Sequence, residues 1–226
     1  MEARNRGFTI IELMLAMAFL SMLLMAIAVA TIHIAKLYDR GMAMRTVNQS
    51  GRDLVASIKR DARSFGSLTE YMVDPASDTN SLGRLCLGTV SYLWNDPDRL
   101  RAGNGVRYKT SGGAMLDQIV MARVSDVGGS YCRKNALGNY NSNVFNDQAT
   151  ELLKSSDHDL AVHDFKFDDN FLSAAGRNQL YRITFTLGTN QEGTIDSSLS
   201  CKPPGDIDSN FNFCAVNNFE LMVSVG

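Results

Sequence analysis

The chain has 226 residues, of which 45% are hydrophobic and 20% are charged, and its formal net charge is −2. This composition excludes a long disordered chain and a collagen-like one, and the near-neutral charge gives no reason to expect a polyanion-binding surface. The charge is unevenly distributed, because residues 36–66 carry seven Lys and Arg against three Asp, whereas residues 67–226 carry 13 against 19 acidic residues. The sequence therefore predicts a basic stem followed by an acidic head.

A long apolar segment precedes the stem. Residues 13–35 contain no Asp, Glu, Lys or Arg over 23 consecutive positions, which is enough for a helix to cross a hydrocarbon core of roughly 30 Å. Two ordinary interpretations are a secretory signal cleaved near Ala30, with Arg4 and Arg6 as its charged region, and an uncleaved anchor. Neither gives a role to Glu12, although an ionised carboxylate in an apolar segment costs a few kcal/mol unless it is paired or near the headgroups.

Cleavage between Gly7 and Phe8 would give Glu12 a partner. The new α-amino group of Phe8 would carry a positive charge at neutral pH. In apolar surroundings, a pair between Glu12 and the amine of a staggered neighbouring chain favours one register, because any slip leaves two unpaired charges. This arrangement predicts polymerisation through the N-terminal helix.

The same residues form a motif. Gly7, behind a short basic leader and before Phe8-Thr9-Ile10-Ile11-Glu12-Leu13-Met14, resembles the class III signal of type IV prepilins and type II secretion pseudopilins. In that family a prepilin peptidase removes the leader after the glycine, here Gly7, and usually N-methylates the new terminus, here Phe8. The resemblance also implies that Glu12 pairs with the terminal amine of an adjacent subunit during filament assembly.

The chain is expected to divide into a leader at residues 1–7, a membrane and filament-core helix at 8–35, an amphipathic helical half at 36–66, and a globular head at 67–226. By the resemblance, one helix runs from Phe8 to about Phe65. Its amphipathic half carries apolar residues at intervals of three, four or seven, as on one helix face: Leu37, Met44, Val47, Leu54, Ile58, Ala62 and Phe65. Gly41 and Gly51 lie on this face, where close packing or a local unwinding would explain them.

The head shows the two-residue alternation of half-buried strands at residues 181–187 and 219–225. Further strands are predicted at 84–94 and 116–124, and also at 158–167, where a change of apolar phase predicts a β-bulge near His163. A short helix is predicted at 146–155. The expected fold is therefore α+β, with a long N-terminal helix, transmembrane and then amphipathic, packed on an antiparallel β-sheet head, as in type IV pilins.

Four cysteines, Cys86, Cys132, Cys201 and Cys214, lie in the head, and none has the spacing of a zinc site. An even number in an exported domain favours two disulfides, although four cysteines allow three connectivities and the alternative is four reduced, buried thiols. We expect Cys86 to pair with Cys132, and Cys201 with Cys214. The second pair would close a short loop containing two prolines and a glycine, which contributes roughly 3 kcal/mol.

No catalytic constellation emerges from the sequence, so we expect no enzyme activity. The nucleophile elbow, the P-loop, the dinucleotide fingerprint and the HExxH zinc motif do not occur. His158, His163 and Asp164 are expected at the surface, with the two imidazoles on opposite faces of a strand. His33 is expected to mark the membrane boundary, and Trp94 is expected in the core.

One segment of the head resembles a metal-binding loop. Asp206, Asp208 and Asn210 alternate as Ca²⁺ ligands often do, and by resemblance some pseudopilins bind calcium in their C-terminal loops. Phe211 stands where an EF-hand has glycine, and Asn217 stands where it has glutamate, so a solvated loop without metal is the simpler interpretation. No other cofactor is expected.

These observations predict a minor pilin or pseudopilin, a structural subunit of a type IV pilus or a type II secretion-like filament. Its expected partners are other pilins or pseudopilins, prepilin peptidase, the inner-membrane assembly platform and, before assembly, the lipid bilayer; nucleic acid is not indicated. We expect it in the cytoplasmic membrane, single-pass with the head outside, and then in a periplasmic or surface filament. The alternative is a secreted or membrane-anchored binding domain cleaved by signal peptidase near Ala30.

Overall fold

Helix α1, Ile10–Phe65, is the longest element of the structure, a computed structural model that describes residues 9–65, 82–136, 138–153, 159–168, 173–174 and 178–225. Its 56 residues span about 84 Å at a rise of about 1.5 Å per residue. The helix is unbroken across residue 35, the predicted boundary between its membrane and amphipathic halves. The described part of the helix reaches Phe65, as predicted, whereas the residues after Phe65 and the predicted start at Phe8 lie outside the described residues.

The two halves of α1 have different surroundings. Residues 9–38 are all exposed, and the head begins to cover the helix at residue 39. The buried stripe consists of Ala43, Val47, Leu54, Ile58 and Ala62. The predicted face is therefore confirmed for the last four of these residues. It is wrong for Leu37 and Met44, which are 71% and 46% exposed, because Leu37 lies beyond the head and the buried stripe runs through Ala43 instead.

The two glycines of the predicted face differ in their packing. Gly51 is buried against the ring of Phe219, and a Cβ atom added to Gly51 would overlap the Cζ atom of Phe219. Gly41 is exposed, and a Cβ atom there would meet nothing within 4 Å. Close packing with the head therefore explains Gly51 and does not explain Gly41.

The first sheet of the head is antiparallel. Its strands are β1 Gly83–Leu87, β2 Val90–Trp94, β5 Met121–Ser125 and β6 Ala149–Glu151, in the order β1-β2-β5-β6. Between β2 and β5 the chain forms a short helix, α2 Pro97–Arg101, and an antiparallel ribbon of β3 Arg107–Lys109 and β4 Met115–Gln118.

The second sheet is built from the C-terminal part of the chain. Its strands are β7 Leu160–Asp168, β8 Ser173–Ala174, β9 Asn178–Thr189 and β10 Val216–Val225. The order is β10-β9-β7, all antiparallel, with β8 also paired to β9. A 3-10 turn at Phe211–Phe213 precedes β10. The register shifts between Val162 and Asp164, which confirms the predicted bulge near His163.

Three local predictions need correction. The segment 84–94 forms the hairpin β1–β2 rather than one strand, because Gly88 has a φ of +70° and closes a tight turn. The segment 116–124 is divided between β4 and β5. The helix predicted at 146–155 is wrong over its described residues, which form a turn and then β6. The Glu151 carboxylate there accepts hydrogen bonds from the backbone N–H groups of Val120 and Met121, at 2.9 and 2.8 Å, which favours pairing with β5 over a local helix.

A row of stacked aromatic rings joins the two sheets. Trp94 on β2 lies 4.5 Å from Phe165 on β7, measured between ring centroids. The distance from Phe165 to Phe185 on β9 is 5.9 Å, and Phe219 on β10 lies 5.2 Å from Phe185. Because Phe219 also contacts Gly51, the row connects both sheets to α1 in one core. Trp94 is 1% exposed, so its predicted place in the core is confirmed.

The first sheet has a second, smaller core on its other face. Leu93 and Val124 pack there with Tyr108 from the β3–β4 ribbon. Tyr131 and Val144, from the loop that joins β5 to β6, complete the cluster. This apolar contact fixes the base of a long polar loop.

Two disulfides tie the head together, in the predicted pairs Cys86–Cys132 and Cys201–Cys214. The first joins β1 to the loop after β5 across 46 positions of sequence, and the second closes a loop before β10 across 13. In the chain-entropy model these closures contribute about 4 and about 3 kcal/mol.

Candidate functional site

The first turn of α1 holds Glu12 in a capping box. The Glu12 Oε2 atom accepts hydrogen bonds from the backbone N–H and the hydroxyl of Thr9, each at 3.0 Å. In return, the backbone N–H of Glu12 donates to the Thr9 hydroxyl oxygen at 3.3 Å. This reciprocal pattern satisfies helix N–H groups that would otherwise lack partners, and it places an anion at the positive end of the helix dipole. The predicted assembly residue therefore has a partner within its own chain.

The surface of α1 beyond this turn is apolar. Its large apolar side chains between Ile10 and Leu37 are Ile, Leu, Met, Phe and Val, and those that are exposed have at least 43% of their surface accessible. This helix has the length and the composition needed to cross a membrane. His33 lies exposed near the end of the apolar stretch, three residues before Lys36. The predicted cleavage site, Gly7 and Phe8, lies outside the described residues.

A buried ionic network fastens α1 to the first sheet. Asp61 on α1 is 5% exposed and accepts hydrogen bonds from Arg123 of β5, through Nε at 2.6 Å and a second guanidinium nitrogen at 3.0 Å. The Tyr92 hydroxyl donates to the same carboxylate at 2.7 Å and lies 2.9 Å from the Ser57 hydroxyl. We call Ser57, Asp61, Tyr92 and Arg123 the Asp61 network. The sequence analysis did not identify it.

The electrostatics of the Asp61 network keep its donors protonated. Burial raises the pKa of Tyr92 well above its ordinary value, and the nearby Asp61 carboxylate adds to this rise. The hydrogen bonds to Asp61 raise the pKa of Arg123. Because the carboxylate receives a bidentate guanidinium and a phenol, the network is a fixed structural contact with no proton to exchange near neutral pH.

The C-terminal disulfide loop, residues 201–214, packs on α1 at the edge of the head. The guanidinium carbon of Arg40 lies 4.0 Å from the centroid of the Phe211 ring, in cation–π geometry. The predicted calcium ligands lie in this loop, where the Asn210 amide donates to Gln191 at 3.4 Å. Within the described parts of the chain, no three His, Cys, Asp or Glu side chains are grouped so that they could hold a metal ion. Calcium binding at Asp206 and Asp208 therefore stays a prediction.

The histidine cluster predicted at the surface is partly inside the head. His163 is half-buried, and its Nε2 atom lies 3.2 Å from the Thr189 carbonyl oxygen. Burial lowers the pKa of His163. Asp164 forms an ion pair with Lys166 at 2.6 Å, and His158 lies outside the described residues. The bulge explains the correction, because the extra residue in β7 turns His163 toward β9.

No protein-family model matches this chain, and no curated protein or solved structure matches it either.

Proposed function

We propose that this chain is a structural subunit, a minor pilin or pseudopilin, of a type IV pilus or a type II secretion-like filament. The observation that supports the proposal most strongly is the division of α1 between an exposed apolar half and a half packed on the head. A soluble domain would have no use for about 28 consecutive exposed residues of this composition. A subunit that moves from a bilayer into a helical filament core needs such a surface in both places.

The proposed pathway begins in the cytoplasmic membrane. The apolar half of α1 crosses the bilayer once, with the head outside, where the two disulfides form. Prepilin peptidase cleaves after Gly7 and methylates Phe8, and the assembly platform then moves the subunit into the filament. Lipid tails and neighbouring apolar helices solvate this surface about equally well, so extraction costs little where other pilins or pseudopilins take the place of lipid.

Glu12 supplies the register of assembly in this proposal. Its Oε2 atom is occupied by Thr9, and among the described residues its Oε1 atom receives no hydrogen bond. A carboxylate accepts several hydrogen bonds, so Glu12 can receive the terminal amine of an adjacent subunit without leaving its cap. The cap therefore presents the acid at a fixed place in the first turn.

Mass spectrometry of the mature N-terminus tests the proposal. Loss of residues 1–7 with a methylated Phe8, which leaves 219 of the 226 residues, is the expected result. A Gly7→Leu variant is expected to keep the full-length mass, because it changes the residue after which the cut is proposed. An Ala30→Leu variant is the matched control and should be processed normally.

The opposite pattern would overturn the proposal. A wild-type N-terminus near residue 31, lost in Ala30→Leu and retained in Gly7→Leu, would identify ordinary signal-peptidase cleavage and a secreted or membrane-anchored binding domain.

A further inference from the structure

An open polar cleft of about 450 Å³ lies on the loop that joins β5 to β6. Its lining includes Arg133, Lys134, Tyr140, Asn141 and Asn143. Among the described residues that line it, none is acidic and none is aliphatic. The composition is unlike the rest of the head, in which acidic residues outnumber basic ones.

The loop that forms the cleft is held in place at both ends. The Cys86–Cys132 disulfide lies directly before Arg133. The Tyr131 hydroxyl donates to the Asn143 carbonyl oxygen at 2.9 Å, which fastens the start of the cleft to its end. Lys134 and Tyr140 pair through an antiparallel bridge. A binding surface that is already ordered loses little conformational entropy when a ligand binds.

Three positive charges converge on the cleft. The guanidinium carbon of Arg84, a fully buried residue, lies 4.2 Å from the centroid of the Tyr140 ring, and the Lys134 Nζ atom lies 5.3 Å from the same centroid. Arg133 and Lys134 are exposed at the rim. This loop has two acidic residues. Asp126 is 3% exposed and accepts hydrogen bonds from Ser91, Ser130 and Tyr131 beneath the cleft. Asp147 is exposed but does not belong to the described lining of the cleft. The accessible charge of the cleft is therefore positive.

Two amides of the cleft, those of Asn141 and Asn143, are oriented as donors. Asn141 uses its side-chain oxygen to accept from the Asn143 backbone N–H at 3.0 Å. Asn143 uses its side-chain oxygen to accept from the Lys109 Nζ atom at 2.5 Å. Each amide therefore keeps its NH₂ group, which has no acceptor among the described residues, for a ligand that offers oxygen atoms.

We propose that this cleft binds a carboxylate-bearing sugar unit of an acidic polysaccharide. Arg133 and Lys134 suit the carboxylate, and the amides of Asn141 and Asn143 suit the sugar hydroxyls. Nucleic acid is a poorer match, because two rim cations neutralise about two phosphates and the Tyr140 ring is already stacked with cations. This inference goes beyond the filament role and does not depend on it.

Calorimetric titration of the full chain in neutral detergent micelles tests the inference, with a galacturonate trisaccharide as the probe. Saturable binding of galacturonate to the wild type is expected. The wild type should bind a neutral glucose trisaccharide at least about tenfold more weakly, and the double variant Arg133→Gln/Lys134→Gln should bind galacturonate at least about tenfold more weakly than the wild type does. A matched control with the same loss of charge, Arg52→Gln/Lys166→Gln, should keep its affinity within about twofold. All four residues are exposed, so both variants are expected to unfold at the wild-type temperature.

Three results would overturn the inference: no saturable heat with galacturonate, equal affinity of the Arg133→Gln/Lys134→Gln variant and the wild type, or equal binding of the neutral trisaccharide. Tighter binding of a short oligothymidylate than of galacturonate would also overturn it, and would assign the cleft to nucleic acid instead.

Discussion

Asp61 is the charged side chain on which the contact between α1 and the head depends most directly. It receives three hydrogen bonds from two residues of the first sheet while almost fully buried. A buried ion pair adds little net stability compared with an apolar pair, but removal of one member leaves the other without compensation. A single substitution at Asp61 is therefore expected to change the stability of the fold without changing the apolar surface on which the proposed assembly depends.

Asp61→Asn is expected to lower the free energy of unfolding by about 2–3 kcal/mol, because Arg123 loses its counter-ion and both donors keep a weaker acceptor. Urea denaturation of the full chain in micelles measures this difference. Asp53→Asn, on the exposed side of the same helix, should change stability by less than about 0.5 kcal/mol. Equal effects of the two variants would contradict the importance assigned to Asp61.

His163 is expected to make the head less stable in mild acid. Burial lowers its pKa in the folded state below the ordinary value of about 6.5, so the unfolded chain binds more protons once the pH falls below about 6.5. The contribution of His163 to stability is therefore complete above about pH 6.5 and is lost as the pH falls from about 6.5 to the folded-state pKa. The thermal midpoint should fall less between pH 7.5 and pH 5 in His163→Gln than in the wild type. His33→Gln, on the exposed half of α1, should retain the wild-type slope, and a retained slope in His163→Gln would refute the assignment.

Helix α1 has two halves with different surroundings along one continuous element. Its second half is a structural spine whose buried stripe joins the common core of both sheets. Its first half contributes nothing to that core and carries the apolar surface on which the proposed assembly depends. The glycines of the second half show how closely the head approaches it.

Gly51→Ala is expected to destabilise the chain by about 1–3 kcal/mol, although alanine favours helix formation. The new Cβ atom would overlap the Phe219 ring, which is itself stacked on Phe185 and cannot move freely. Gly41→Ala meets no such obstacle and should raise stability by up to about 1 kcal/mol. Urea midpoints of the two variants should therefore move in opposite directions, and Phe219→Leu should relieve the effect at Gly51. Stabilisation by both variants would show that Gly51 is not closely packed.

At the scale of the whole molecule, a rigid disulfide-bonded head is joined to an exposed apolar helix half. Every described residue of the chain before residue 39 is exposed. A substitution near the helix start can therefore change assembly and leave the head folded. Glu12 is placed where this separation can be tested.

Glu12→Leu is expected to remove the chain from filaments or initiation complexes while the urea midpoint of the head stays at the wild-type value. The reason is that leucine cannot accept the terminal amine of a neighbouring subunit. Ser21→Leu is a matched control, since it also makes the apolar half more hydrophobic but removes only a hydroxyl that bonds to Ala18 within the helix. The fraction of each variant in sheared and sedimented filaments measures the effect. Wild-type incorporation of Glu12→Leu would exclude the proposed pairing.

Local sequence patterns were sufficient to predict an element where one pattern, such as alternation, extended over the whole segment. The predicted strands at 181–187 and 219–225 lie within β9 and β10, because alternation marks a sheet with one buried face. The helix predicted at 146–155 is wrong because the Glu151 side chain of β6 accepts hydrogen bonds from the backbone at the start of the adjacent strand β5. Helix α2 was not predicted, although Asp96 before Pro97 is a strong local start signal and caps the helix in the structure.

The sequence by itself determined the apolar first half of α1 and the alternating strands, because these follow from composition and spacing within a few turns of chain. That α1 is one long helix was expected from the family resemblance. It also favoured the two disulfide pairs that the structure contains. Only the tertiary structure decided the Asp61 network, whose Asp61 and Arg123 are 62 positions apart, and the cleft, where Arg84 of β1 meets Tyr140 of a distant loop. Hydrogen bonds and charged contacts between distant segments leave no periodic pattern in the sequence, because each one depends on the path of the whole backbone.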